Sequence, residues 1–154
     1  QRTRHAIAAI ADEEYYAARG MAPWIAPVHM VLGVCEDDYH RRYTERDKLT
    51  TEGTEIAWPA PYWYVDAGAL LMLIQLTAID AGLASGFFAV LQEKPLRDLL
   101  SIPDDIAVIG VITLGYAAPE DAAIHGRIKS RRKPLDAMVR WNRWNGASGL
   151  PSAR

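Results

Sequence analysis

The chain has 154 residues, half of them hydrophobic, with 17 basic and 19 acidic side chains and a formal charge of −2. That size supports one domain with a proper core, and near-neutrality gives no global attraction to nucleic acid or anionic lipid. The single cysteine, Cys35, excludes an internal disulfide framework and fits a reducing, cytoplasmic compartment.

Residues 2–20 read as a helix, with Ile7, Ile10, Ala11 and Tyr15 on one face and Gly20 and Pro23 at its end. Residues 26–35, APVHMVLGVC, form an apolar run with β-branched members and predict a strand. Its apolar residues lie on both faces, as in a sheet interior. His29 within it reads as a hydrogen-bonded core residue rather than a metal ligand. Residues 36–55 carry much charge without a strong period and read as loop with one helical turn. Trp58-Pro59-Ala60-Pro61 cannot lie inside a helix, because each proline lacks a donor and constrains its predecessor. It delivers Tyr62, Trp63 and Tyr64 to the mouth of the next element.

That element is the centre of the chain, DAGALLMLIQLTAIDAGLASGFFAV at residues 66–90. Leu70, Leu71, Met72, Leu73, Ile74, Leu76 and Ile79 cover nearly every helical direction, which predicts a helix buried on most faces. Asp66 is the expected N-cap and Gly82 the expected left-handed stop. Gln75, Thr77 and Asp80 interrupt the apolar run, which is short for a membrane span, so no membrane is expected. Residues 85–90 predict a strand. Residues 94–100 predict a short helix with Pro95 in its first turn, followed by a turn at 102–105. Residues 107–116, AVIGVITLGY, are the best strand in the chain and the expected centre of the sheet. A loop at 117–126, a basic run at 129–133, a short helix at 134–139 and a tail with Trp141 and Trp144 complete the order. The expected architecture is α+β, a mainly antiparallel sheet flanked by helices around a buried central helix, in a single domain spanning residues 1–154.

Side-chain catalytic machinery is thin. His5, His29, His40 and His125 show no metal-ligand spacing to one another or to Cys35. No phosphate-loop, dinucleotide or nucleophile-elbow motif is present. No catalytic side chain and no metal are therefore assigned, and enzymatic activity requires a cofactor that carries the reactive electrons.

Three blocks, the 66–90 stretch, LRDLLSIPDDIAVIGVITLGYAAPE and KSRRKPLDAMV, resemble in order and spacing the C-terminal portion of the flavin-dependent nitroreductase family. The resemblance covers most of the chain from Trp58 onward. It implies FMN bound at a homodimer interface and hydride transfer from NADH or NADPH to a small-molecule acceptor such as a nitroaromatic or a quinone. It aligns Ser85, Gly86, Ala89 and Val90 with the segment lying against the flavin, where a backbone N–H around Ala89 and Val90 is the candidate donor toward N5. The acidic residue followed by glycine that some members carry there is absent. Lys129, Arg131 and Arg132 occupy the phosphate-contacting position, a task suited to guanidinium forks. The loop between Asp37 and Tyr64 covers the substrate channel, with Trp58, Tyr62 and Trp63 as flat substrate surfaces and Tyr43 a weaker one. Without the resemblance, 85–90 is an interior strand, the basic run is a solvated surface and the aromatics are packing anchors. The family's N-terminal flavin contacts have no counterpart before Ile25, so the chain is expected to be incomplete at its N-terminus. The alternative is a flavin-free binding or dimerisation module. One short basic run in an acidic chain is no nucleic-acid footprint.

Overall fold

Among the described residues, eight elements form the first of two units, Gln1–Ala117, in the computed structural model. They are α1 (Arg2–Ile10), α2 (Glu13–Ala17), β1 (Val28–Cys35), α3 (Glu36–Tyr43), α4 (Tyr62–Asp80), β2 (Ala84–Phe88), α5 (Glu93–Leu100) and β3 (Ile106–Gly115). The second unit, Ala118–Arg154, contains α6 (Leu135–Met138). The structure describes residues 1–21, 23, 28–118, 132–140 and 144.

The strands form an antiparallel sheet of order β1-β3-β2. β3 is central, as its unbroken apolar run predicts, and Val111, Ile112 and Thr113 are buried at its middle. β1, expected in the interior, is an edge strand among the described residues. Its face-to-face apolarity instead meets helices, and Val28 and Met30 remain exposed. Val111 packs with Ile7 of α1 and Leu96 of α5, and Ile10, Val31, Phe88, Val90, Leu100 and Ile102 surround them. The neighbouring Ile112 points to the opposite face by the two-residue alternation of a strand, where α4 packs across all three strands. Helices therefore cover both faces of the sheet.

Four local expectations are corrected. The helix expected over 2–20 breaks at Asp12, which adopts a left-handed φ of 57°, a conformation aspartate tolerates better than most residues. The loop expected from Glu36 contains α3 instead. Its first turn carries Glu36, Asp37 and Asp38 and its last carries His40, Arg41 and Arg42, the charge order that a helix dipole favours. α4 begins at Tyr62, with Pro61 in the N-cap position, so Asp66 lies inside the helix. Its end is as expected: Gly82 has φ +75°, its N–H donates to Ile79 O, and Leu83 N–H donates to Ala78 O, the paired bonds of a Schellman stop.

The fourth correction concerns burial. Only Trp63, Ala67 and Ala78 of α4 are buried, while Val65, Leu70, Met72, Leu73, Leu76 and Ile79 are exposed. One stripe seats on the sheet and a second apolar face stays open. With the extra turn, α4 is 19 residues long, enough to cross a membrane by length and composition alone; its seating on the sheet is that of a helix in a layered domain. His29 also differs from expectation. Both ring nitrogens are buried without a hydrogen-bond partner among the described residues, and burial holds its pKa below the usual histidine value.

Candidate functional site

Three segments run toward the end of the sheet where β3 starts, though β2 stops level with the middle of β3 while β1 continues to its first residue. Phe88 pairs with Val111 at the close of β2, and Cys35 pairs with Ile106 at the close of β1. β2 and β1 therefore run out in the same direction. The chain leaves β1 directly into α3. The turn after α4 is only three residues long before β2 starts, so α4 runs antiparallel to β2 and its first turn returns to that same end. Ring contacts between Trp63 of α4 and Tyr39 and His40 of α3, with centroids 5.7 and 5.2 Å apart, close the arrangement.

Past its last pair, level with the middle of β3, β2 gives way to Ala89 and Val90. Their backbone N–H groups lie beyond the last ladder pair and donate to no group among the described residues. Val90 packs its side chain on the Ile7, Leu96 and Val111 cluster, which anchors the backbone while Ala89 is exposed. Ser85 and Gly86 are half-buried within β2, opposite Leu114 and Thr113. Backbone N–H groups without an acceptor among the described residues, beside the exposed Ala89, fit a planar ring resting on backbone.

The second component is aromatic. Trp58 meets Tyr43 edge-on at 4.6 Å, Tyr39 at 5.2 Å and Tyr62 at 5.7 Å, and Tyr39 stacks on Tyr43 at 5.0 Å. Tyr62 is 38% exposed and Trp58 half-buried, whereas Trp63 is only 9% exposed. Tyr62 and Trp58 thus present surface, and Trp63 serves chiefly to join α4 to α3. The Trp63 indole N–H is buried without a partner among the described residues.

Charge runs beside these rings. Glu55 Oε1 accepts from His40 Nδ1 at 2.6 Å and from Trp58 Nε1 at 2.7 Å. The bond to Glu55 raises the His40 pKa above its ordinary value, with Glu36, 3.6 Å from Nε2, adding to it. The Trp58 bond, then the His40 bond, lower the pKa of Glu55. Burial, then bonds and charges from Tyr43 and Asp66, push the Tyr39 phenol up to about 12. Tyr39, His40 and Glu55 were missed by sequence reasoning because residues 36–43 read as loop. The signal was present, since Tyr39 and Tyr43 are four apart and share a helical face.

Of the basic candidates, Lys129 and Arg131 lie outside the described residues. Arg132 is exposed in the second unit, just before Pro134 at the N-cap of α6. Among the described residues no cluster of three His, Cys, Asp or Glu side chains could hold a metal ion.

The fold resembles that of known structures. A nitroreductase family protein from Clostridium difficile 630 superposes with a TM-score of 0.51 at 20% identity, over 79% of this chain and 63% of that one. A nitroreductase family protein from Streptococcus pneumoniae TIGR4 superposes with a TM-score of 0.50 at 19% identity, over 73% of this chain and 63% of that one. The fold is nitroreductase-like. An oxidoreductase containing FMN aligns at a TM-score of 0.46 and 14% identity, too distant to argue from. No family model and no curated protein matches the sequence. The chain spans less than two thirds of the nitroreductase family structures it resembles.

Proposed function

We propose that this chain is part of an FMN-dependent oxidoreductase of nitroreductase type, which takes hydride from NADH or NADPH and delivers it to a small planar acceptor such as a nitroaromatic or a quinone. The observation that carries the reading is the pair of backbone N–H groups at Ala89 and Val90, beyond the last β2 pair and without an acceptor among the described residues, in a nitroreductase-like fold. The flavin supplies the hydride chemistry when bound. The chain supplies the rest. The Ala89 and Val90 N–H groups offer hydrogen bonds to a ring edge, Ser85 and Gly86 leave room for a flat face, and Trp58 and Tyr62 offer surface to nicotinamide or acceptor. Arg131 and Arg132, with Lys129, bind the phosphate through charge-assisted hydrogen bonds. The single free thiol, Cys35, supports a reducing cytoplasmic setting.

The exposed apolar face of α4 supports a homodimer, because a contiguous apolar surface of this kind marks an interaction site. The same face is what a flavin-free dimerisation module would need, and the flavin experiment separates the two. Protein purified and saturated with FMN should show a bound flavin absorption band. Replacing Arg131 and Arg132 together by Ala should weaken FMN retention by about tenfold or more, since about 1.4 kcal/mol is tenfold in affinity and one charge-assisted hydrogen bond contributes roughly 1.5–3 kcal/mol. Undiminished flavin in the double variant removes the phosphate assignment. No flavin in the parent protein, together with a stable dimer, favours the dimerisation module.

A further inference from the structure

One carboxylate oxygen ties α3 to the irregular segment that leads into α4. Glu55 Oε1, on the irregular segment between α3 and α4, accepts both the His40 Nδ1 proton at 2.6 Å and the Trp58 indole proton at 2.7 Å. Trp58 in turn lies edge-on to Tyr39 and Tyr43 and against Tyr62, the first residue of α4. The segment around Glu55 has no helix or strand ladder of its own, so this shared oxygen is its strongest polar attachment to α3. The groups facing the imidazole are few. On α3 they are Glu36, 3.6 Å from Nε2, and on the loop Glu55. From α4 the Trp63 ring packs on the imidazole, and the nearest charge, Asp66, is directed to Tyr39. Arg41, next in the chain, is paired with Asp38.

We propose that Glu55, shared between His40 and Trp58, is a pH-dependent clamp that fixes the Trp58 indole at the mouth of α4 while His40 is protonated and lets it go when that proton is lost. The reasoning is electrostatic. With the imidazolium in place, the carboxylate is held on α3 by a charge-assisted bond, about twice as strong as a neutral one, and keeps its lone pairs aimed at the indole. Without it, a neutral imidazole is a weaker donor to Glu55, and no other cation contacts Glu55 among the described residues. Water then competes for Oε1, and the indole loses its acceptor. Both carboxylates favour the imidazolium, so the clamp lets go at a higher pH than an ordinary histidine would set. At the acid end it opens only once Glu55 itself is protonated. The clamp does not depend on flavin. Where the flavin reading holds, it sets the position of one acceptor-binding wall, with Glu55 and His40 as positioning residues.

The test is a titration of the full chain by NMR, following the His40 ring protons and the Trp58 indole N–H, the latter assigned with Trp58→Phe. The expected result is a shared midpoint above the ordinary histidine value near 6.5, with the indole resonance moving upfield as its hydrogen bond is lost. In Glu55→Gln the His40 midpoint should fall and the indole response at that midpoint should vanish. An indole resonance that stays flat, or moves downfield, through the His40 titration overturns the proposal. So does an unchanged His40 midpoint in folded Glu55→Gln. Should that variant fail to fold, the co-titration in the parent protein decides alone.

Discussion

Arg97 is where a single side chain does most to join elements in the first unit. From α5 its Nε donates to Glu93 Oε1 at 2.9 Å, one guanidinium nitrogen donates to Pro103 O at 2.7 Å and the other to Ile106 O. The two carbonyls belong to the turn and to the first residue of β3, so one guanidinium fixes the entry of the central strand. Arg97→Ala removes both charge-assisted bonds to the backbone, each worth roughly 1.5–3 kcal/mol net. It should lower the unfolding free energy by about 2 kcal/mol, read from urea denaturation; Arg97→Lys, which keeps charge without the fork, should recover only part of this. An unchanged urea midpoint in Arg97→Ala would remove the pin. The sequence reading did not single out Arg97, because its partners are backbone atoms that no side-chain pattern reveals. His29 illustrates the converse. Its place in a strand was legible, but whether its ring nitrogens find partners depends on what packs over it.

Among the elements, β3 was the most legible and still holds something that pattern could not supply. Leu32 pairs with Gly110 and Gly33 with Val108, so Ile109 is the extra residue of a β-bulge in the central strand. Beside it, a Cβ at Gly110 would stand 2.6 Å from both Phe87 Cε2 and Phe88 O. A backbone oxygen cannot swing aside as a side-chain tip can. Gly110→Ala should therefore cost about 1–3 kcal/mol by overpacking and displace β2 from β3, measurable as a lower thermal midpoint and faster amide exchange in residues 84–88; wild-type stability would show that the strands can separate freely. The helical elements divided along a physical line. α5 and the end of α4 were readable because their signals are local: Pro95 in a first turn and Gly82 at a stop. α3 was missed because its polar sequence shows little apolar periodicity, and it is held by ring contacts with Trp58 and Trp63, residues distant in the chain. The start of α4 was placed too late because Pro61 at the N-cap lets the aromatics enter the helix itself.

At the scale of the whole molecule, the open face of α4 sets the next expectation. Val65, Ala69, Met72, Leu76 and Ile79 recur at alternating steps of four and three and are all exposed, the spacing of a seam between packed helices. Met72→Glu with Leu76→Glu should convert a dimer into a monomer at micromolar concentration, seen by analytical ultracentrifugation, with little loss of helicity because both side chains are exposed. A parent protein that is already monomeric, or a double variant that stays dimeric, excludes this seam. The sequence by itself determined the α+β class, the central place of β3, the extent of β2 to within about two residues, and the nitroreductase-like order of the C-terminal blocks. The first three rest on hydrophobic periodicity or on glycine and proline stereochemistry, which act within one element; the block order rests on the resemblance to the nitroreductase family. Only the tertiary structure decided which strand is an edge, which face of α4 is covered, and that Glu55 links His40 to Trp58. Those depend on contacts between residues far apart in the chain, and an all-round apolar helix gives no sign of which side the sheet will take.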